Sequence, residues 1–250
     1  MQRELVTGFV LHRRPYRDTS ALVDLFTREH GRVAVVARGV QSARGAWRGI
    51  LQPFRPLWLA WTGRGELFTL TQAEAAGPPA VLAGAVALSG LYLNELLIKL
   101  VARDDPHPAL FERYAQTLLA LSGSDAVAQE AVVLRLFERD LLQQIGFGLV
   151  LDRETRNGVP VQSDATYQYV PEQGPLSVQS TLGENRGCTV HGSTLLDLAR
   201  GELTDDRSMR ESKRLLRAVL DHHLGHRRVA SRQLRRALEE LSITWSEHGQ

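Results

Sequence analysis

The stretch GRVAVVARGVQSARGAWRGILQPF, Gly31–Phe54, decides how the rest of the chain is read. Its opening part, Val33–Ala37, is short, apolar and rich in β-branched residues, as expected of a strand buried on both faces. The loop that follows carries Arg38, Arg44 and Arg48 among glycines, has Trp47 as its one large ring, and contains no acid. A second strand is expected from Leu51. Cations on a loop between strands, with a ring for stacking, suit a single-stranded nucleic acid. An ordinary solvated loop is the competing reading.

Around this stretch, residues 1–75 read as five short strands: Val6–His12, Ala21–Thr27, Arg32–Arg38, Pro56–Thr62 and Glu66–Gln72. A polar connection, Arg13–Thr19, joins the first two, and Gly63–Gly65 signals the hairpin between the last two. Five strands without an intervening helix point to a small closed barrel of the oligonucleotide-binding (OB) type, with a small open sheet as the alternative.

Gly77, Pro78 and Pro79 break the pattern and mark a boundary between domains 1–77 and 80–250. Beyond it the period becomes helical. Ala80–Ala102 is apolar on nearly every face, as in the central helix of a bundle. Further helices are expected over Leu110–Leu121, from an Asp125 cap to about Ile145, and from a Ser193 or Thr194 cap to Arg200. Two more cover Asp206–Leu224 and the stretch from a Ser231 cap to about Ser242. The span of about 148–190 is poorly patterned and reads as an irregular inserted loop region, with Tyr167, Tyr169 and Val178 on a weak hairpin. The fold class is therefore α+β, a five-stranded OB barrel followed by an α-helical domain.

The 250 residues carry a formal net charge of only +2, but it is unevenly spread. Residues 1–80 hold 11 arginines against six acids, residues 81–160 seven bases against ten acids, and Arg207–Arg236 ten bases against two acids. Two basic segments around an acidic one suggest a polyanion partner. On the helix 206–224, Arg210, Lys213, Arg214 and Arg217 fall within roughly 100° of arc, opposite Leu215, Leu216 and Val219. A merely solvated face is the plainer reading of such a ridge.

Cys188 is the only cysteine, which rules out an internal disulfide and a thiolate zinc cage. Met1–Val10 lacks the charged-then-apolar pattern of a signal segment, so a cytoplasmic protein is expected. Asn94, Glu95 and Lys99 make Ala80–Ala102 a poor membrane span. No phosphate-binding glycine loop, HExxH, nucleophile elbow or Cys–His pair occurs. His222 and His226 have metal-pair spacing, but Gly225 intervenes and no third ligand is evident. No catalytic residue, metal or cofactor is expected.

Eight strings occur in register with one known family: GFVLHRRPYRDTSALVDLFTREHGRV (8–33), VVARGVQSAR (35–44), GILQPFRPLWL (49–59), GRGELFTLTQAEA (63–75), SGLYLNELLIKL (89–100), LFERYAQTLLAL (110–121), LRLFERDLLQQIGFG (134–148) and SRQLRRALEEL (231–241). On these the chain resembles the RecO family of bacterial recombination mediators, most weakly over Leu151–His191. The resemblance implies an OB domain followed by a helical one, and a non-enzymatic, nucleoid-associated role. That role comprises binding single- and double-stranded DNA, annealing complementary strands, and helping RecA load onto strands covered by single-stranded DNA-binding protein. It implies RecR and the acidic C-terminal tail of that covering protein as partners. Some members of the family carry a four-cysteine zinc site; the corresponding span here has one cysteine, which aligns the chain with the zinc-free branch. Loops of OB folds flank the binding face, so Arg13, Arg14, Arg17, Arg38, Arg44 and Arg48 are the expected phosphate contacts, with Trp47 or Tyr16 either stacking on bases or buried. The resemblance sets Arg135, in LRLFE, beside the pocket for the acidic tail; an ion pair with Glu138 is the alternative. Arg210 and Arg214 either add to that site or extend the DNA path. An OB-fold RNA-binding adaptor without annealing activity, or an enzyme with an unrecognised site, are the competing functions.

Overall fold

The structure, a computed structural model, describes residues 5–40, 47, 49–63, 67–123, 125–177 and 187–247. The chain divides into two compact units, residues 1–127 with 228–250, and residues 128–227.

In the first unit, β1 (Val6–Tyr16), β2 (Ser20–Thr27), β3 (Gly31–Ala37), β4 (Leu57–Thr62) and β5 (Phe68–Ala75) close into a barrel in the order β1-β2-β3-β5-β4. Every described pairing is antiparallel except β3 with β5. This is the closed five-stranded OB-type barrel expected from the strand count. Val10, Val23, Leu25, Val35, Leu57 and Leu59 fill its interior. Two rings face outward, Phe9 and Phe26, and pack on Phe111 and Tyr114 of α2 (Pro108–Leu121), with ring centroids 5.2–6.1 Å apart. Burial on both faces is why β2 and β3 are nearly continuous apolar runs rather than alternating ones.

Three local expectations change. β1 does not stop at His12. Its pairing with β2 continues through Arg13↔Val23, Arg14↔Leu22, Pro15↔Ala21 and Tyr16↔Ser20, so Arg13 and Arg14 lie on a strand and only Arg17 on the turn. Leu51 is fully buried but starts no strand; its amide donates to the Trp47 carbonyl at 3.0 Å in a turn. The last barrel strand begins at Phe68 and extends to Ala75.

A bulge between Val10 and His12 takes Leu11 out of the β1–β2 ladder. Asn94 of α1 (Ala85–Leu100) donates to the Leu11 carbonyl at 2.9 Å and accepts from the Tyr114 hydroxyl at 2.5 Å. Burial pushes the Tyr114 phenol above its ordinary pKa, which keeps that donor proton in place. At the β2–β3 turn, Gly31 has φ 63°, and a Cβ there would collide with the Asp105 carbonyl. The N-terminus of α6 (Ala230–Glu247) is capped from α1 and not by Ser231. Glu95 accepts from the amides of Ala230 and Ser231 at 2.8 and 2.9 Å, and from the Ser231 hydroxyl at 2.7 Å. Arg232 and Arg235 are absorbed into the same helix pair, donating to Tyr92 Oη and Ser89 Oγ at 3.0 and 2.7 Å.

The second unit takes up α3 (Ala126–Gln144) from Ala128 onward, β6 (Thr166–Val170), β7 (Gly174–Ser177), β8 (Cys188–His191), α4 (Gly192–Arg200) and α5 (Asp206–Leu224). The span read as irregular holds an antiparallel sheet in the order β7-β6-β8. Its strands have four or five residues, too few to show a period. Tyr167 and Tyr169 are buried on β6, and Val178 lies outside the described residues. Ser193 and Thr194 sit inside the first turn of α4 instead of capping it. The Gly192 and Ser193 amides donate to the Ala165 and Ser163 carbonyls at 2.8 and 2.9 Å, and Glu211 of α5 braces the start of the helix, accepting from the His191 amide at 2.9 Å and the Thr194 hydroxyl at 2.8 Å. α5 has its own cap, Asp205, which accepts from the amides of Arg207 and Ser208 at 2.8 and 3.0 Å.

Candidate nucleic-acid interface

The β1–β2–β3 register gathers four of the six candidate DNA contacts. Arg14 pairs with Leu22, and Leu22 with Val36, while Ala21 faces both Pro15 and Ala37. The end of β1, the 17–19 turn and the exit of β3 at Arg38 therefore share one end of three neighbouring strands. Arg14 and Val36 stand two strand spacings apart, roughly 10 Å. Arg13, Arg14, Arg17 and Arg38 are all exposed. Arg44 and Arg48 lie outside the described residues.

Most other arginines of the first unit are engaged. Arg28 meets Glu112 at 2.8 Å, Arg103 meets Asp24 at 3.9 Å, and Arg32 donates to the carbonyls of Ile98 and Val101. Among the described residues, no acid pairs with Arg13, Arg14, Arg17 or Arg38. Four cations share one barrel end with Asp18 of the 17–19 turn as the one adjacent acid, and phosphate oxygens suit guanidinium forks of this kind.

The aromatic candidates divide. Tyr16 is half-exposed, and the Arg17 guanidinium lies 5.2 Å from its ring centroid, so ring and cation form one patch. Trp47 is half-buried and packs against the barrel interior, which takes up much of its ring.

In the second unit, α5 presents the cationic ridge its periodicity predicts. Arg210, Lys213, Arg214 and Arg217 are exposed, while Leu215, Leu216, Val219 and Leu220 are buried. Arg210 stands 3.9 Å from Asp206 and Arg217 3.6 Å from Asp221. Such exposed i,i+4 pairs hold about 0.5 kcal/mol or less and are screened by salt, so they leave the ridge open to a polyanion. Arg214 is held differently, donating to Cys188 Sγ at 3.2 Å and to the Thr189 carbonyl.

Arg135 does not join that ridge. It is 8% exposed on α3, and its Nη2 donates to Glu138 Oε1 at 2.6 Å, the ion-pair geometry of the alternative reading. Its partner is as deeply placed, Glu138 being 2% exposed. Arg139, one residue on, donates to the Leu198 carbonyl at 2.7 Å. A four-cysteine zinc site does not fit the residues present: Cys188 is a single buried thiol whose sulfur accepts from a guanidinium. None of the described helices is long and apolar enough to cross a membrane.

An OB-type barrel with four exposed arginines at one end, followed by helices that carry a second cationic ridge, defines the class: an OB-barrel protein with an appended helical unit. Comparison with known proteins narrows it. Residues 1–79 match the family model for the recombination protein O N terminal region, and residues 85–233 that for its C terminal region. The chain is 49% identical over 241 residues to the DNA repair protein RecO of Nitrosococcus oceani, covering 96% of this chain and 95% of that one. Identity to the proteins of the same name from Aromatoleum aromaticum and Azoarcus sp. is 43% and 42%, over 94% of this chain and 95% and 96% of theirs. The chain belongs to the RecO family.

Proposed function

We propose that this protein acts in DNA repair and recombination by binding single- and double-stranded DNA and annealing complementary strands. It also helps RecA load onto strands held by single-stranded DNA-binding protein. The observation that carries this reading is the set Arg13, Arg14, Arg17 and Arg38 at one barrel end, with no acidic partner among the described residues. Annealing requires two polyanions to be brought together, and guanidinium groups lower their mutual repulsion. Arg44 and Arg48, outside the described residues, are further candidate phosphate contacts on the sequence alone. The remaining partners are RecR and the acidic tail of single-stranded DNA-binding protein. For the tail, the exposed Arg210 and Arg214 are the contacts we assign, because a carboxylate can reach them without breaking a buried pair. Arg135 would have to leave Glu138 first.

The test compares wild type with Arg13→Ala/Arg14→Ala/Arg38→Ala in a strand-annealing assay and in binding to single-stranded DNA. Both activities should fall at least about tenfold, since each lost phosphate contact removes an electrostatic contribution, while the thermal midpoint stays near that of wild type. Undiminished annealing, or an equal preference for RNA with no annealing by wild type, would overturn the reading.

A further inference from the structure

We infer that Glu172, His222 and His223 form a binding site for a divalent cation of the zinc type. The sequence offers His222 and His226 as a pair without a third ligand; the fold selects a different pair and supplies the third from the β6–β7 turn. One ligand atom from each of Glu172, His222 and His223 lies within 4.8 Å of the others. His222 Nε2 is 3.2 Å from a Glu172 oxygen. Donor atoms around a tetrahedral zinc ion at about 2.1 Å stand about 3.4 Å apart, so small rotations of exposed side chains would complete the set.

Several features of the second unit favour a cation here. The two histidines occupy the last turn of α5, where the helix end carries partial negative charge. Phe147 stacks on the His223 ring with centroids 4.0 Å and planes 18° apart, which fixes the orientation of that ligand. Glu172 has φ 65° and projects from the turn between two paired strands. Two imidazoles and one carboxylate form a donor set for zinc and its transition-metal neighbours rather than for magnesium or calcium. Glu172 and His223 also line a cleft of about 300 Å³ with Phe147, Leu149 and Val219, so a fourth coordination position is left open on that side. Arg227 donates to the His223 carbonyl at 3.2 Å and brings an opposing charge to the same helix end. Affinity should therefore fall below that of a closed four-ligand structural site. A bound ion would tie the β6–β7 turn to the end of α5. The ordinary alternative is a Glu172–His222 ion pair with no affinity for metal.

The test is a titration of the full chain, free of any histidine tag, with Zn²⁺ alone in competition with a chromogenic chelator. One equivalent should bind. Glu172→Gln and His222→Ala should each weaken binding at least about tenfold, with circular dichroism unchanged, and His226→Ala should leave it as in wild type. In wild-type protein, ring resonances of His222 and His223 should shift on adding Zn²⁺ while those of His226 stay put. Absence of saturable one-to-one binding, or equal loss in His226→Ala, would overturn the assignment. So would ring shifts confined to His226.

Discussion

Asn94 is 1% exposed and touches three elements at once: the bulge of β1, its own helix α1, and Tyr114 on α2. Removing its side chain takes the amide away from the Leu11 carbonyl and the Tyr114 hydroxyl, both in buried surroundings. Asn94→Ala should therefore cost about 2–4 kcal/mol, from two groups at about 1–2 kcal/mol each, readable as a lowered denaturant midpoint. A loss below about 1 kcal/mol would mean that water replaces the amide. In the sequence Asn94 shows only as a polar interruption of an apolar helix. Its purpose depends on a bulge at Leu11, 83 residues away. Arg135 poses a similar problem. Its partner is three residues away and legible, but its burial is not, because nothing in the local sequence marks a charged residue as buried. Breaking a buried pair by removing one partner costs about 3–5 kcal/mol, whereas replacing both by apolar groups costs far less. Arg135→Met should be strongly destabilising and Arg135→Met/Glu138→Leu much less so, by thermal or chemical unfolding. A stable Arg135→Met protein that loses only its affinity for an acidic tail peptide would instead make Arg135 a ligand contact.

Among the elements, α4 and α6 share one device: a glutamate from another helix holds the start of each, Glu211 at α4 and Glu95 at α6. Burial tends to raise the pKa of both carboxyls. Around Glu211, hydrogen bonds from the His191 amide, the Thr194 hydroxyl and the His191 ring overcome that tendency and hold the carboxyl below its ordinary value of 4.5. Around Glu95, Ser231 and Ala230 do the same with help from Lys99. A carboxyl depressed on folding contributes stability that is present above its unfolded pKa and lost as pH falls through its folded one. Wild type should thus lose stability faster than Glu211→Gln as pH drops below about 4.5. At pH 7 the variant should be less stable by about 1–3 kcal/mol. Parallel stability–pH curves would show that the carboxylate's charge is not what holds the start of α4. Neither glutamate contact could be read from sequence. The local Ser193, Thr194 and Ser231 were the visible candidates, while the true partners stand 17–20 and 135–136 residues away. By contrast α5, with its local Asp205 cap and strong two-sided pattern, was legible almost to the residue. The barrel was legible too, since its strands hold apolar runs and Gly31, Gly39 and Gly63 punctuate the ends of β3 and β4.

For the molecule as a whole, the distribution of charge says more than its total of +2. Ion pairing is the common fate of arginine here: Arg28, Arg103, Arg135, Arg139, Arg153, Arg200 and Arg236 all meet acids. Against that background the four arginines at the end of β1–β2–β3 stand out, and they occur where an OB barrel offers its binding face. The sequence showed that three of these residues, Arg13, Arg14 and Arg38, have no acid beside them in the chain, while Arg17 precedes Asp18. Only the strand register showed that they also share one end of the barrel, because β1 runs on through a stretch, HRRPY, that has no strand-like pattern.

The direct measure of whether this surface grips DNA is the salt dependence of affinity for a single-stranded oligonucleotide, followed by fluorescence. For wild type, log affinity should fall steeply and linearly with log salt, and each of Arg14→Ala and Arg38→Ala should lower the slope by about 0.7, the release of one phosphate's counterions. A wild-type slope near zero, or slopes unchanged in both variants, would contradict the cationic barrel end as the seat of DNA binding.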